Sequence, residues 1–456
     1  MWSFAFSCGK NSGKNEKFFD NPVNKSSRRA RRCAGRRIWL ASFFEISVNE
    51  TGLSHPTRAS SRWLNSTVIG IGLASLFSDW SHEIATTVMP AFLATMGASA
   101  AWLGLIEGVS DGLSSFAKMA SGYYTDKLQR RKPIAVIGYV VTALGTASFG
   151  LATAAWHVLI GRSLAWLGRG VRTPVRKALL AGSVTKETYG RAFGFERMMD
   201  SIGAIVGPAT AFILLEALHH RYPALFAITL VPSLIAAALI AFVVKENART
   251  RVPHIAFGER WRMLPGTYRQ FLVAVGLFGA GDFAHTLLIL LAAQKLTPVY
   301  GPAKAASAAV ALYVLHNVFY ATFAFVAGWL ADRMKKNHLL AGGYFLAALM
   351  AAALILLPFT LWSLALVFTL AGLYMAIVET LEDSFCAELV SEAHHGMAFG
   401  VLATVNGVGD FLSSVIVGAL WSSAGTTAAF GYSAVLFTAG ALLVLRLRPA
   451  TDKTAN

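Results

Sequence analysis

The chain has 456 residues, 55% of them hydrophobic and only 14% charged, with a positive mean hydropathy and a net charge of +16. Soluble domains carry roughly 25% charged residues, so the composition excludes an ordinary soluble domain and points to a membrane protein. Residues 1–62 alone hold twelve Lys or Arg against four Asp or Glu; the rest is too apolar for a nucleic-acid binder, so anionic lipid headgroups are the expected partner of this segment.

Residues 1–62 read as a basic, disordered cytoplasmic tail. No short apolar core precedes a small-residue cleavage site, so no secretory signal is read; an Arg-rich organellar presequence and an overlong assigned start both stay open. Cys8, Cys33 and Cys386 have neither metal-ligand spacing nor an obvious pairing. No metal site and no cofactor are expected.

From Thr67 onward, apolar runs long enough to cross a bilayer alternate with short polar breaks. Twelve spans are expected, at about 67–90, 99–121, 134–155, 157–181, 197–216, 222–244, 271–293, 305–330, 338–358, 361–386, 400–421 and 427–446. One set of connections receives Lys127, Arg130, Arg131, Lys132, Arg249, Arg251, Arg260, Arg262, Arg333, Lys335, Lys336, Arg446, Arg448 and Lys453. The other receives only Arg221, Lys295 and Lys304. Lys and Arg mark the cytoplasmic side, which puts both termini inside a multi-pass protein of the plasma (bacterial inner) membrane. The expected division is a first six-helix bundle at 63–245, a basic, proline-broken linker at 246–270, a second bundle at 271–448 and a short cytoplasmic tail at 449–456.

Patterns recur between the two halves. "GYYTDKLQRRK" at Gly122 and "GWLADRMKKNH" at Gly328 both read Gly-x-x-x-Asp followed by basic residues, 206 residues apart. "GRAFG" at Gly190 returns as "GMAFG" at Gly396, again 206 residues on, and the "GY" of Gly138 returns at Gly343. Asp79 stands three residues before His82, and Asp282 three before His285. Such repetition in order implies two six-helix halves of repeated architecture.

Twelve spans, a six-plus-six repeat and Gly-x-x-x-Asp-basic after spans 2 and 8 resemble the major facilitator superfamily of secondary transporters. "RSLAWLGRG" in span 4 is similar to that family's arginine-then-glycine motif, at Arg162, Gly168 and Gly170. "GAIVGP" in span 5 (Gly203, Gly207, Pro208) resembles its antiporter-associated motif. Two positions depart from the pattern: the expected loop glycine is Gln129 in the first copy and Lys335 in the second, and "ATA" follows Pro208 where further glycines are usual. The resemblance implies an all-α fold of two pseudo-symmetric six-helix bundles that rock about a midplane site. It also implies gating work for Asp126 and Asp332, and a central cavity lined by spans 1, 4, 7 and 10.

An ionisable group at the centre of a membrane helix costs about 2.5–3.5 kcal/mol on insertion scales, so such groups should face the interior. Asp79, His82 and Glu83 share one face of span 1 by their i, i+3, i+4 spacing, and Asp282 and His285 repeat the pattern in span 7. With Arg162 they are the candidate proton and substrate pathway; a static polar network that holds the helices in register is the other reading. Arg162, Arg169 and Arg176 form a stripe on span 4, with Arg172 at its edge. Guanidinium groups need carboxylates or an anionic solute. Under the 206-residue offset Arg176 aligns with Glu382 and Lys177 with Asp383. This sign reversal suggests a salt-bridge latch between the halves. Arg172, Arg176, Glu379, Glu382 and Asp383 are therefore gating candidates, with Asp126, Arg130, Asp332 and Arg333 of the two loops. The rival reading keeps the arginines within the first half, on Glu107, Asp111, Glu196 and Asp200. Gly203, Gly207 and Pro208 are expected to serve helix packing.

Three enzyme-like strings fail on context. "HEIAT" at His82 lacks the second histidine of a zinc-protease helix, and "GVSDG" around Ser110 lies within a span rather than on a strand-to-helix turn. "CGKNSGKNE" has Cys8 and Asn15 where a phosphate loop needs Gly and Ser or Thr. The expected function is therefore not enzymatic: it is secondary transport of a small molecule, coupled to protons and leaning to antiport export. Symport import of an anionic solute and a non-transporting sensor are the alternatives.

Overall fold

The computed structural model describes residues 62–98, 100–246 and 256–447. The tail expected at 1–62, apart from Arg62, and the expected C-terminal tail lie outside the described residues, as do Cys8, Cys33, Arg249, Arg251, Arg448 and Lys453. Among the described residues the structure is all-α.

Local signals set where the helices begin. Asn65 caps α1 (Ser66–Thr95), its side chain accepting from the N–H groups of Thr67 at 2.9 Å and Val68 at 3.1 Å. The α2 helix (Ala100–Thr125) ends at the first loop copy, and Pro133 stands in the first turn of α3 (Lys132–Ala147). The start of α3 is closed from a distance. Glu246 accepts from the backbone N–H groups of Arg131 at 2.6 Å and Lys132 at 2.9 Å, and so satisfies donors that no intrahelical carbonyl reaches. Then follow α4 (Ala155–Ala181) and α5 (Tyr189–Ala217), and α6 (Tyr222–Ile228), α7 (Leu230–Ala238) and a π turn (Leu239–Val243) run on as one rod.

The expected linker contains a short helix, α8 (Phe257–Met263), and the next helix begins within it, at α9 (Gly266–Gly279). Seventh in line, α9 and α10 (His285–Tyr300) form a rod that was expected to be continuous and is instead broken at residues 280–284. Gly279 and Gly281 flank the break, and glycine weakens helix propagation. Gly279 also lies against Gly409, where an added Cβ would stand 2.9 Å from the Gly279 carbonyl carbon. Neighbouring side chains satisfy the freed backbone groups, as buried irregular backbone in a membrane requires. Ser413 donates to the Asp282 carbonyl at 2.5 Å, Tyr432 donates to that of Ala280 at 3.0 Å, and the Ala284 N–H donates to Ser414 Oγ at 3.1 Å. The remaining rods are α11 (Pro302–Ala331), α12 (Lys336–Leu356), α13 (Leu361–Leu389), α14 (His395–Ala424) and α15 (Thr426–Arg446).

Grouped this way, the described helices make twelve rods and the linker helix. Eight rods have the length and hydropathy to cross a membrane. The other four are α1, α2, α4 and the broken α9–α10. Those four hold Asp79, Glu107, Arg162 and Asp282, and two of the eight, α5 and α13, also carry buried acids at Glu196 and Glu382.

In the first lobe α1 packs on α5 and α7, and α4 on α2 and α3; in the second, α11 packs on α10 and α13, and α12 on α13 and α15. The lobes meet where α2 crosses α14 and α11 crosses α5. Under the 206-residue repeat these two crossings are images of each other. Glycine sets their closeness: a Cβ on Gly400 would stand 2.7 Å from the Lys118 carbonyl oxygen, and one on Gly194 2.6 Å from that of Ala324. Side chains at these positions would force the backbones apart.

Candidate functional site

The arginines of α4 meet carboxylates of their own lobe. Arg162 Nη2 donates to both Glu107 carboxylate oxygens at 3.0 Å, and Nη1 donates to Thr86 at 3.0 Å. Its guanidinium lies 3.7 Å from the centroid of the Trp166 ring. Trp166 Nε1 donates to Asp111 at 2.6 Å and packs against His82, with ring centroids 4.5 Å apart. Arg169 pairs with Asp79 at 3.0 Å. Arg176 pairs with Glu196 at 2.6 Å, stands 4.0 Å from Asp200 and donates to Ser75 at 2.6 Å. Asp79 and His82 meet α4, and Glu83, whose Cβ faces Gly207 of α5, brings a carboxylate oxygen to 3.9 Å from His82 Nε2. Gly203 and Gly207 let α5 close on α1. A Cβ at Gly203 would stand 2.9 Å from the Trp80 nitrogen, and one at Gly207 3.2 Å from the Trp80 carbonyl oxygen; Pro208 lies in the same helix.

The second lobe is arranged differently. Asp282 sits in the break of the seventh rod and accepts from the Tyr374 hydroxyl at 2.9 Å. His285 opens α10 and packs on His316, ring centroids 4.6 Å apart. Glu379 accepts from the Tyr320 hydroxyl. Glu382 accepts from Tyr344 at 2.6 Å and Asn406 at 2.7 Å. Tyrosine and asparagine, rather than cations, answer Asp282 and Glu382.

Between the lobes, Lys177 of α4 pairs with Asp383 of α13 at 2.6 Å. Arg197 of α5 reaches Glu379 at 2.9 Å and Asp383 at 3.5 Å, besides Asp200 at 3.3 Å. The direct Arg176–Glu382 pair expected from the repeat is absent from this structure. Adjacent helical residues point about 100° apart, so Lys177 faces the opposite lobe while Arg176 turns back into its own. Arg197 carried no repeat signal, although its place on the helix of Glu196 and Asp200 was legible.

The repeated loop aspartates act on the opposite lobe. Asp126, at the end of α2, accepts from the Gly396 N–H at 2.9 Å and the Met397 N–H at 2.8 Å, at the start of α14. Asp332, after α11, accepts from the Gly190 N–H at 2.7 Å and the Arg191 N–H at 3.1 Å, at the start of α5. Each carboxylate thus meets orphan donors and the positive end of a helix. The glycine pairs match this arrangement, Gly122 lying against Gly396 and Gly328 against Gly190. Arg130 and Arg333, named as gating candidates from sequence, are not the counter-charges of these aspartates. Arg130 is exposed, and Arg131, buried, pairs with Asp126. Arg333 is also exposed and stacks on Trp329 at 3.7 Å, while Arg191 Nε pairs with Asp332 at 2.7 Å. The counter-charge of Asp126 comes from five residues on in the same loop, and that of Asp332 from the start of α5.

A cavity of about 220 Å³ lies between the lobes; Asp79, His82, Glu83, Arg162, Asp282 and His285 are not among the residues that line it. Its first-lobe wall includes Lys118, Arg169, Arg172 and Arg176, and its second-lobe wall Glu379, Glu382, Asp383 and Asp410. Asn406 and Asp410 were not singled out from sequence. Among the described residues no cluster of three or more His, Cys, Asp or Glu is set to hold a metal ion.

A model of the Major Facilitator Superfamily matches residues 71–293 and 271–456. The chain belongs to the major facilitator superfamily. It is 28% identical over 388 residues to an uncharacterised MFS-type transporter of Methanocaldococcus jannaschii, covering 84% of this chain and 95% of that one. An uncharacterised protein of Mycobacterium tuberculosis is 25% identical over 83% of this chain and 91% of its own length. A multidrug resistance protein of Citrobacter koseri, MdtH, is 31% identical over 118 residues only, 25% of this chain and 29% of that one. Among solved structures, the human organic anion transporter MFSD10 (TETRAN) superposes with a TM-score of 0.69 at 15% identity, covering 83% of this chain and 99% of that one. The transporter FucP in its outward conformation gives 0.67 at 16% identity, covering 85% and 100%. The MFS fold and the family identify an integral membrane transporter.

Proposed function

We propose that this MFS protein is a proton-coupled secondary transporter of a small solute, working by alternating access as an antiporter that exports. Both termini lie in the cytoplasm of a cell bounded by the plasma (bacterial inner) membrane. The observation that carries the reading is a charged cavity between two lobes that are bonded together on the basic-loop side. Asp126 and Asp332 cap helices across the lobe boundary there, and Lys177–Asp383 and Arg197–Glu379 close the cavity floor. Release of these bonds as the lobes rock opens the cytoplasmic side. Asp282 supports proton coupling: it is a carboxylate in a broken helix whose described partner is a tyrosine hydroxyl rather than a cation. Intramembrane acids in such settings serve as proton relays. Asp79, bound to Arg169, becomes a second carrier only when that pair separates. His82, Glu83, Arg162 and His285 belong to the wall of this path. Proton symport of an anionic solute is the second reading, favoured by the cationic first lobe.

Inside-out vesicles with an imposed acid-inside gradient and a pH dye provide the test. A solute that collapses the gradient in the parent, but not in Asp282→Asn, establishes proton-coupled antiport. Solute uptake without proton movement in folded protein overturns the coupling.

A further inference from the structure

Apart from Asp200, the charges lining the cavity are cations on the first lobe and acids on the second, and Arg172 and Glu382 are among those with no ion pair among the described residues. Arg172 is 2% exposed. Its Nη2 donates to Ser78 at 2.6 Å and its guanidinium lies 3.9 Å from the centroid of the Tyr139 ring. Its Nε and Nη1 hydrogens have no acceptor among the described residues. No carboxylate pairs with it, and its neighbours along α4 are Arg169 and Arg176, each already engaged by an acid. Across the cavity, Glu382 is 3% exposed and accepts two neutral hydrogen bonds, from Tyr344 and Asn406. No cation lies within ion-pair distance of it among the described residues, and the same holds for Asp410 on the same wall.

A buried charge without a partner is expensive, and proteins resolve it by pairing. Arg172 and Glu382 line one cavity, yet they are not paired with each other, and each belongs to a different lobe. A single-charge solute would satisfy one wall and leave the other as it is.

Resting on the transporter reading, we infer that the solute is a zwitterion, an amino-acid-like molecule whose anionic group binds Arg172 and whose cationic group binds Glu382, with Asp410 beside it. A carboxylate can take the Arg172 Nη1 hydrogens, which have no acceptor among the described residues, in a charge-assisted bond; the Nε hydrogen lies on the other edge of the guanidinium. An ammonium group on the second lobe adds charge-assisted donors to carboxylate oxygens that now hold only neutral ones. One molecule then ties the two lobes together, and loss of either group unties them. The cavity of about 220 Å³ lies below the 300–1,000 Å³ range of ligand pockets, which suits a compact solute.

The test uses the purified full chain in lipid nanodiscs and two matched sets of probes, read by calorimetric titration. One set is leucine, 4-methylpentanoate and isoamylamine; the other is 6-aminohexanoate, hexanoate and hexylamine. At least one zwitterion should bind about tenfold or more tighter than both of its single-charge analogues, the effect of losing a charge-assisted hydrogen bond. Arg172→Gln should erase the preference for the zwitterion over the amine, and Arg172→Lys should keep part of it. Glu382→Gln should erase the preference over the acid. If neither zwitterion binds more tightly than its analogues, or if the preferences persist in Arg172→Gln and Glu382→Gln, the inference is overturned. Zwitterion binding without proton flux in liposomes would leave it standing and remove proton coupling. Proton flux driven only by a single-charge analogue would do the opposite.

Discussion

Replacing Asp383 with Asn should tip the protein toward a state open on the basic-loop side. Asp383 and Lys177 have side chains only 4% and 11% exposed and sit 2.6 Å apart across the lobe boundary. Removing one member of a buried pair costs about 3–5 kcal/mol, because the other charge is left uncompensated. Arg197 keeps Asp200 and Glu379 after the change, so the low end, about 3 kcal/mol, applies to Lys177. In the open state Lys177 meets water, so the penalty falls on the closed state alone. At about 1.4 kcal/mol per tenfold, the open-to-closed ratio rises by about 100-fold. Spin labels at Arg130→Cys and Arg333→Cys report this, since both positions are exposed and lie on different lobes, with Cys8, Cys33 and Cys386 replaced by Ser. A parent open in only about one molecule per thousand would show a long-distance population of about a tenth. The double variant Lys177→Met/Asp383→Asn removes the stranded charge and should return at least about tenfold toward the parent. A distance distribution for Asp383→Asn that superimposes on the parent, or a double variant as open as the two single effects combined, refutes the reasoning.

Gly194→Val and Gly400→Val should each weaken the closed lobes by about 1–3 kcal/mol, as overpacking does, because added carbons would stand 2.6 and 2.7 Å from backbone oxygens; the same labels should then show a longer mean separation. Asp332→Ala leaves the Gly190 and Arg191 N–H groups without their acceptor and should cost about 1–3 kcal/mol in thermal unfolding. Arg333→Ala, at an exposed site, should stay within about 0.5 kcal/mol of the parent. Asp282→Asn keeps an acceptor for Tyr374, so solute exchange between equal pools should continue while net proton-driven accumulation stops; loss of both would place Asp282 in solute binding instead.

What was legible in the sequence depended on whether backbone or side-chain rotation decided it. Gly122, Asp126, Gly328 and Asp332 recur because a close helix crossing and an uncapped helix end are backbone requirements, which few residue types meet. Their partners Gly190 and Gly396 recur for the same reason. The counter-charges were not legible, since Arg131 follows Asp126 on the same loop while Arg191 lies far from Asp332 in the chain. The α4 stripe was visible as a period of seven, but its direction was not. A rotation of one residue decides whether Arg176 or Lys177 crosses to the second lobe, and only packing of α4 against α2 and α3 sets that rotation. The break at residues 280–284 had its signal in Gly279 and Gly281, hidden because the apolar residues on either side read as one span.

The duplicated halves kept their ends alike and let their centres diverge. At the ends, each aspartate reaches across to the helix start of the other half, so the two crossings can open and close together about the pseudo-twofold axis. At the centre, symmetry would have placed like charges face to face, which repel when desolvated. Lys177 opposite Asp383, its own image under the repeat, shows the alternative. With Lys177 and Arg197 on one lobe facing Glu379 and Asp383 on the other, the lobes attract at the floor even without solute, through bonds that water can replace once the lobes part. Such a floor can hold the cavity closed and still release, which a purely apolar seam with its larger buried area would do less readily. On the alternating-access reading proposed above, the divergence of sign between Lys177 and Asp383 is what would let a symmetric scaffold act as a gate.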